Sequence, residues 1–435
     1  MTMRTDPPKA SFRLSQLIYD TRYRSITIQV IAMILVIAGL YWLVNNTIQN
    51  LSALGKDFDF GFLTQPAGYD INQRLVEYTS QSTHGKAAFV GILNTLLVAF
   101  LGCLLATILG VTAGVLRLSK NWVVSRLMAV YVEGFRNVPL LLWIIAIFAL
   151  MTEGMPQPRD FKVGGEAAMI LGDSVAVTNR GVYVPGIVFD NGFTGGAVAD
   201  LVENALDGRR DSGIMSGIAQ SEAVNWLILI LVLIGSLYVI RLVRARADAT
   251  QESTGIRPTT WYVQLALLIV PVGALMWYMG AQMQYPYLKG FNFTDGVHLR
   301  NSLIALWIAL SLYTGAFIAE IVRSGILAIS KGQSEAAAAL GLRPKRTMNL
   351  VILPQAMRVI IPPLISQYLN LTKNSSLAIA VGYMDVRATL GGITINQTGR
   401  ELEGILLMAA FYLALSLAIS GVMNIYNNRT QLQER

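Results

Sequence analysis

The segment GQSEAAAALGLRPKRTMNLVILPQAMRVIIPPL, residues 332–364, decides how this chain folds. It interrupts two long apolar stretches with alanines, a glycine, a basic cluster and a Leu-Pro pair. Residues 333–340 favour a helix because four consecutive alanines lie within them. Gly341 is suited to end that helix, and Pro344 disfavours helix in the residue before it. The pattern predicts two helices joined by a turn, the second beginning at Thr347.

The sequence around this segment is strongly apolar. Hydrophobic residues make up 54% of the 435 and charged residues 14%, against roughly 25% charged in an ordinary globular protein. A membrane-spanning helix needs about 20 mostly apolar residues. The sequence therefore predicts an all-α polytopic membrane protein with about eight transmembrane helices, at 26–44, 87–116, 137–152 (reaching back to about Leu127), 223–240, 258–288, 301–319, 359–384 and 404–428.

The placement of lysine and arginine predicts the orientation. If the N-terminus lies inside, the segments between spans fall alternately outside and inside. Lysine and arginine are densest in the segments that would then be inside, namely 1–25, 117–126, 241–257 and 323–358. Such an excess marks the cytoplasmic side. We therefore expect both termini to be cytoplasmic, and we attribute the net charge of +8 to this face and not to nucleic-acid binding.

Two long segments, 47–86 and 153–222, are predicted outside the membrane. Residues 47–86 are expected to form a polar loop with a short amphipathic helix around 69–80. In DSVAVTNRGVYVPG, residues 173–186, apolar and polar residues alternate on both sides of Asn179-Arg180-Gly181. This alternation favours a small β-hairpin, with a helical tail at 196–207. A disordered external loop is the alternative.

The residue inventory argues against covalent chemistry. The chain has one cysteine and two histidines, and neither H-E-x-x-H nor C-x-x-C occurs. We therefore expect no metal, no catalytic residue and no cofactor bound by this chain. The phosphate-binding pattern G-x-x-x-x-G-K-[ST] is also absent from the sequence, so any ATP hydrolysis belongs to another chain.

The predicted 333–340 helix has an unusual surface. It presents small methyl groups and one acid, Glu335. Small residues allow close approach of another protein, and a carboxylate near a helix N-terminus gives a directional contact. The segment is suited to dock a separate subunit. Composition alone leaves a second interpretation, a re-entrant loop packed on its own bundle.

The spacing of this segment resembles the loop signature of ABC-importer permeases. The matching residues are Glu335-Ala336-Ala337, Gly341, Val351 and Leu353-Pro354, with valine where isoleucine is usual. Three further stretches, TGAFIAEIVRSGILAISKGQSEAA (314–337), LPQAMRVIIPPLISQYLNLTKNSSLAIAVG (353–382) and YVEGFRNVPLLL (131–142), are similar to the polar and general amino-acid branch of that family. Asn137-Val138 departs from the more common glycine and small polar residue. The enlarged chain most resembles the larger, Q-type permease of general L-amino-acid transporters.

The resemblance implies a domain organisation. A five-helix type I importer core would occupy 87–150 and 300–428, with the coupling loop at 332–354. Residues 1–86 would hold a cytoplasmic N-terminus, a first span and an external loop. Residues 151–299 would be an insertion with an external segment and two spans, and 429–435 a cytoplasmic tail.

The resemblance also implies roles and partners. Glu335, Ala336, Ala337 and Gly341, followed by Leu353 and Pro354, would couple the permease to two ATP-binding subunits that hold ATP and Mg. The other implied partners are a sister permease in a heterodimer, a periplasmic amino-acid-binding protein, an L-amino acid as substrate and the lipid of a bacterial inner membrane. Transport would proceed by alternating access.

Charges inside the predicted spans are further candidates, because ionisable residues in a membrane are costly. Glu133 with Arg136, and Glu320 with Arg323, lie three residues apart and can pair on one helix face. A structural role near the cytoplasmic interface is the plainer interpretation of both pairs.

Lys373 and Asn374 lie within another predicted span. With Tyr313 and Thr314 they are candidates to line a substrate path. The plainer alternative for Lys373 is a side chain that reaches the interface or pairs helices.

Two other protein classes compete with an ABC permease. A secondary transporter driven by an ion gradient usually shows broken helices and buried acids near the midplane. Here the acids Glu133 and Glu320 lie towards the cytoplasmic end. A membrane-embedded enzyme would need a clustered catalytic set, which the sequence does not supply.

Overall fold

The computed structural model describes residues 21–53, 55, 57–162, 164–193 and 222–430. The helical tail predicted at 196–207, most of the cytoplasmic N-terminus and the end of the C-terminal tail lie outside these residues. The chain divides into two units, residues 1–60 and 61–435. In the first unit, helix α1 (Thr21–Ala53) carries an apolar stretch long enough to cross a membrane.

The second unit holds the remaining elements. Its helices are α2 (His84–Leu116), α3 (Trp122–Asn137), α4 (Leu140–Glu153), α5 (Ala223–Thr254), α6 (Trp261–Tyr278), α7 (Asn301–Leu327), α8 (Lys331–Ala339), α9 (Pro344–Thr347), α10 (Leu353–Asn374), α11 (Ile395–Thr398) and α12 (Glu401–Thr430). Among the described residues seven helical segments are long and apolar enough to cross a membrane, or eight if α3 and α4 form one bent span. The predicted class, a polytopic helical membrane protein, is confirmed.

Helices α2 and α7 form the centre of this unit. Their contact is close because glycines on α2 face branched side chains on α7. A Cβ on Gly110 would lie 2.5 Å from the Cβ of Ile318, and a Cβ on Gly114 would lie 2.6 Å from the carbonyl oxygen of Ala319. Small residues at such positions let membrane helices approach closely. The buried core continues from this contact to α4 and α10.

The third predicted span is not straight. The sequence predicts an unbroken span from about Leu127 to residue 152, but α3 and α4 meet at an angle of 107°. Val138 is extended (φ −107°, ψ 134°), and Pro139 precedes the first residue of α4. Proline disfavours the helical conformation in its predecessor, which explains the bend. Glu133 and Arg136 therefore belong to α3, a helix with its own direction.

Two other spans end earlier than predicted. The span predicted at 258–288 stops at Tyr278, and strands follow at 281–284 and 287–289. Gly280, with φ +64°, ends the helical path. The span predicted at 359–384 starts at Leu353 and ends at Asn374, and Ser375–Val381 forms a 3-10 helix.

The amphipathic helix predicted around 69–80 is absent, and that expectation was wrong. The described residues of this segment form bends and turns. Side chains hold it in place: Arg74 Nη1 donates to the carbonyl oxygen of Tyr78 (2.6 Å), and the Ile71 amide donates to Asp70 Oδ1 (2.8 Å). These local bonds compete with helical pairing.

The predicted hairpin is present. Strands β1 (Ala176–Thr178) and β2 (Gly181–Val184) pair antiparallel around Asn179 and Arg180. The other strands are β3 (Gly186–Phe189), β4 (Ala281–Gln284), β5 (Tyr287–Lys289), β6 (Asn292–Thr294) and β7 (Val297–Arg300). β7 pairs with β2, with Gly181 opposite Arg300. The hairpin is thereby held against the residue that precedes α7.

Candidate functional site

Helix α8 and the turn after it form a rigid, well-defined projection. The helix begins after Ser330, which is extended, and ends at Leu340. Gly341 has φ +74°, a conformation that favours glycine. The amide of Gly341 donates to Ala338 O (2.9 Å) and that of Leu342 to Ala337 O (3.1 Å). This pair of hydrogen bonds is a Schellman motif. Gly341 therefore ends α8, as predicted from the sequence.

The outer face of α8 is apolar and exposed. Ala337 alone among the residues of α8 is buried, whereas Glu335 and Ala336 are exposed. Leu340 is 82% exposed. The Glu335 side chain makes no ion pair or hydrogen bond to any described residue. An exposed leucine and alanine face with an unpaired carboxylate is what a helix that docks on another protein requires.

The second helix begins three residues earlier than predicted. Arg343 is extended (φ −67°, ψ 148°), and Pro344 occupies the first turn, where its missing N–H costs nothing. Residues Met348–Ile352 then form a π-turn in which the Leu353 amide donates to Met348 O. This irregularity precedes Pro354, which cannot donate a regular helical bond. A hydrogen bond of 3.3 Å from Gln355 Nε2 to Gln333 Oε1 connects α8 to α10.

The predicted charge pairs are joined into one network. Glu320 binds Arg323 through both oxygens, at 2.5 Å and 3.1 Å. Arg117 Nη1 lies 2.5 Å from Glu320 Oε2, and Arg117 Nη2 lies 3.8 Å from Glu133 Oε1. Arg136 lies 4.0 Å from Glu133. The network joins the end of α2 to α3 and α7.

Arg117 was missed as a member of this network. It follows the predicted second span, and its sequence position suggests only a basic cytoplasmic turn. Its side chain is 14% exposed, less than any other member of the network. The two acid–arginine pairs with three-residue spacing can be identified in the sequence. The contact between the ends of α2 and α7 cannot.

The predicted substrate-path residues lie in different environments. Thr314 is 3% exposed and packed inside the bundle. Tyr313 is half-buried, with its ring 5.1 Å from that of Phe317. Lys373 is exposed and Asn374 half-buried at the end of α10. Within the described residues no hydrogen bond or ion pair joins Lys373 to the other three, so a shared path stays a prediction.

Comparison with known proteins gives consistent matches. Residues 258–432 match a family described as binding-protein-dependent transport system inner membrane component. The chain is 55% identical to the glutamate/glutamine/aspartate/asparagine transport system permease protein BztB of Rhodobacter capsulatus, over 100% of both chains. It is 40% identical to the general L-amino acid transport system permease protein AapQ of Rhizobium johnstonii, over 98% of this chain and 96% of that one.

A third relative comes from Escherichia coli. The putative amino-acid ABC transporter permease protein YhdX is 39% identical over 94% of each chain. These three alignments include residues 151–299 as well as the rest of the chain, because they cover nearly the whole of it.

Proposed function

This chain belongs to the inner-membrane component family of binding-protein-dependent transport systems, and from that membership we propose how it moves its substrate. It is a permease subunit of an amino-acid ABC importer, with ATP hydrolysed on a separate chain. A secondary transporter driven by an ion gradient has no support among its relatives. The proposal concerns the residues that couple the two activities, the assembly and the substrate.

We assign the coupling to α8 and Gly341. One observation carries this assignment: α8 displays an apolar face with Leu340 82% exposed, although the helix is fixed at its end by a complete Schellman motif. Exposed apolar patches of this kind mark sites of interaction with other proteins. In this proposal, the face from Glu335 to Gly341 sits in a groove of the ATPase subunit. Closure of the ATPase pair then moves α8, and α10 carries the motion into the bundle through Leu353 and Pro354.

The assembly follows from the type of protein. We propose one copy of this chain, a shorter sister permease, two ATP-binding subunits that hold ATP and Mg, and an external binding protein. Both termini and α8 lie on the cytoplasmic side, and the β-strands lie outside. The role of Lys373 and Asn374 with Tyr313 and Thr314 in the path remains part of this proposal, as do the boundaries of the core at 87–150 and 300–428.

The substrate class is taken from the relative that matches the whole chain. BztB is described as a permease for glutamate, glutamine, aspartate and asparagine, and AapQ as one for general L-amino acids. We propose that this chain transports L-amino acids and favours the four acidic and amide side chains. The delivering binding protein sets most of that preference.

Two glycine substitutions test the coupling. Gly341→Asp places a charged side chain in the proposed contact and should release the ATPase during co-purification and abolish uptake. Gly255→Asp is the matched control, because Gly255 also ends a helix with φ +72° and also has open space at its Cβ position. Retention of the ATPase by the Gly341→Asp variant, or equal loss in both variants, contradicts the proposal.

A further inference from the structure

The external strands enclose a polar cavity with the membrane core. The cavity has a volume of about 670 Å³ and is lined by β2, β6, β7, the first residues of α7 and residues 381–384. It therefore lies where the insertion meets the ends of the core helices.

One wall of the cavity carries an unpaired cation. Arg300 lines the cavity and is half-buried. Its backbone amide donates to Gln73 Oε1 at 3.4 Å, but its guanidinium forms no hydrogen bond or ion pair with any described residue. Arg180, in the turn between β1 and β2, differs because its Nη1 donates to Asn292 Oδ1 at 2.7 Å. A guanidinium left unpaired in a recess is a site for a carboxylate.

Two acceptors without partners belong to residues that line the same cavity, Asn179 and Asn301. Asn301 follows Arg300 in the chain and is 4% exposed. Its Nδ2 donates to Asn179 O at 2.6 Å, which fixes the amide. The Oδ1 atoms of Asn301 and Asn179 are both buried and have no partner in the described chain. Buried polar atoms are normally hydrogen-bonded, so two unsatisfied oxygens on residues that line one cavity leave a place for a donor.

Ring stacking and strand pairing order another part of the wall. The rings of Tyr183 and His298 stack in parallel, with centroids 4.2 Å apart and planes 4° from each other. His298 Nε2 lies 3.1 Å from Arg180 O and donates to it. The pairing of β2 with β7 holds these residues in register. The cation and the two acceptors are thus presented by a preorganised frame, which reduces the entropy lost on binding.

We propose that this cavity is a receiving site for a free α-amino acid, which it recognises by the zwitterionic backbone. The α-carboxylate binds the guanidinium of Arg300, and the α-ammonium donates to Oδ1 of Asn179 and of Asn301. Both groups are common to all amino acids, so the site selects the class and leaves the side chain to the binding protein. This inference rests on the proposed function, because it assigns a step to the imported substrate.

The site can be tested in the assembled complex without its binding protein. Asn72 lines the cavity and is exposed, so the thiol of an Asn72→Cys variant reports access to it. L-Glutamine at ~10 mM, enough to fill a millimolar site, should slow alkylation of that thiol several-fold. The analogue of glutamine that lacks the α-amino group should protect much less. Background labelling is measured with the unsubstituted protein, whose single cysteine is the half-buried Cys103.

Arginine substitutions identify the carboxylate site. Arg300→Gln, added to Asn72→Cys, should abolish the protection, and Arg300→Lys should retain part of it. Arg159→Gln is the matched control: it removes the same charge from an external residue whose side chain is 64% exposed and does not line this cavity. Thermal melting of each complex confirms that it is folded.

Three outcomes overturn the receiving site: no protection by any amino acid, equal protection by the deaminated analogue, or protection that survives Arg300→Gln. These results are separable from a failure of the proposed function. If the unsubstituted complex imports amino acids with binding protein and ATP while the cavity shows no protection, import stands and the receiving site is wrong. If that complex imports no amino acid, the proposed function itself fails.

Discussion

Arg117 and Glu320 are separated by 203 residues in sequence, yet Arg117 Nη1 lies 2.5 Å from Glu320 Oε2. The contact joins the last turn of α2 to α7, the two helices that form the centre of the bundle. Their side chains are only 14% and 26% exposed. Glu320 also binds Arg323, so one carboxylate neutralises two guanidinium groups. A substitution of Glu320 is therefore expected to affect the whole network.

Neutralising Glu320 should destabilise the protein more than neutralising an exposed acid. Glu320→Gln leaves Arg323 without its ion-pair partner and leaves Arg117 with only the more distant Glu133, at 3.8 Å. Breaking a fully buried pair costs about 3–5 kcal/mol, and the partial exposure of Glu320 reduces the expected loss to about 2 kcal/mol. Asp248→Asn is the matched control, because its pair with Arg257 is more than half exposed on both sides and should contribute about 0–1 kcal/mol. The measurement is the melting temperature of the Glu320→Gln and Asp248→Asn complexes, each compared with the unsubstituted complex. Equal shifts in the two variants would argue against a special role for the network.

Shortening Leu340 should weaken the attachment of the ATPase without affecting the fold. The side chain is 82% exposed here, so Leu340→Ala removes almost no internal packing. If a partner covers it, the loss of buried apolar area costs about 1.5–3 kcal/mol, or roughly a 10- to 100-fold weaker affinity. Ile256→Ala is the control, since Ile256 is 76% exposed and follows another helix on the same predicted side. The dissociation constant of purified ATPase from permease in nanodiscs is the measurement; equal affinities for both variants contradict the docking face.

The parts of the fold that the sequence predicted are those set by local chemistry. Gly341 ended α8 because no other residue type adopts its backbone conformation at so little cost, and period-2 alternation placed β1 and β2 on either side of Asn179 and Arg180. The bend at Pro139 was accessible to the same reasoning, but the need for about 20 residues to span the membrane was given more weight than the proline. The length needed to cross the membrane is weaker evidence for one continuous helix than a proline is against it, because two shorter helices can cross the membrane together.

The candidate sites that the sequence missed depend on contacts between distant segments. Arg117 was not associated with Glu320, because nothing local in the sequence brings the ends of α2 and α7 together. The cavity lined by Arg300 was missed for the same reason. Asn179 and Asn301 are 122 residues apart and meet only because β7 pairs with the hairpin. Composition identified the polar residues, but the register of the sheet placed them side by side.

Replacing Lys373 should reduce transport while leaving assembly intact. Lys373 is exposed at the end of α10 and has no ion pair with any described residue, so Lys373→Met breaks no internal contact. If its charge meets a substrate carboxylate in the path, uptake should fall roughly 10- to 100-fold, as expected for loss of a charge-assisted hydrogen bond of about 1.5–3 kcal/mol. Lys120→Met is the control, because Lys120 is exposed in the turn between α2 and α3. The idea is wrong if uptake and substrate-stimulated ATP hydrolysis are both unchanged in the Lys373→Met complex.

His298 should make the paired strands β2 and β7 less stable in acid. Burial lowers the pKa of His298, and the nearby charge of Arg300 adds to this, although the hydrogen bond with Arg180 O acts in the opposite direction. The unfolded chain holds this histidine near the ordinary pKa of about 6.5, so between the two pKa values the unfolded state binds more protons. Stability from neutral His298 is therefore complete above about pH 6.5 and is lost as the pH falls through the lower, folded-state pKa.

His298→Gln isolates this contribution, because glutamine keeps a side-chain donor for Arg180 O but does not titrate. Wild type should lose stability relative to the variant between pH 7 and pH 5, by at most about 1.4 kcal/mol per pH unit for one proton. His84, the other histidine, is present in both proteins and cancels in the difference. Thermal unfolding of the two complexes across this range measures the effect. A difference that stays constant with pH, or one that grows in favour of wild type in acid, would show that the fold does not hold His298 neutral.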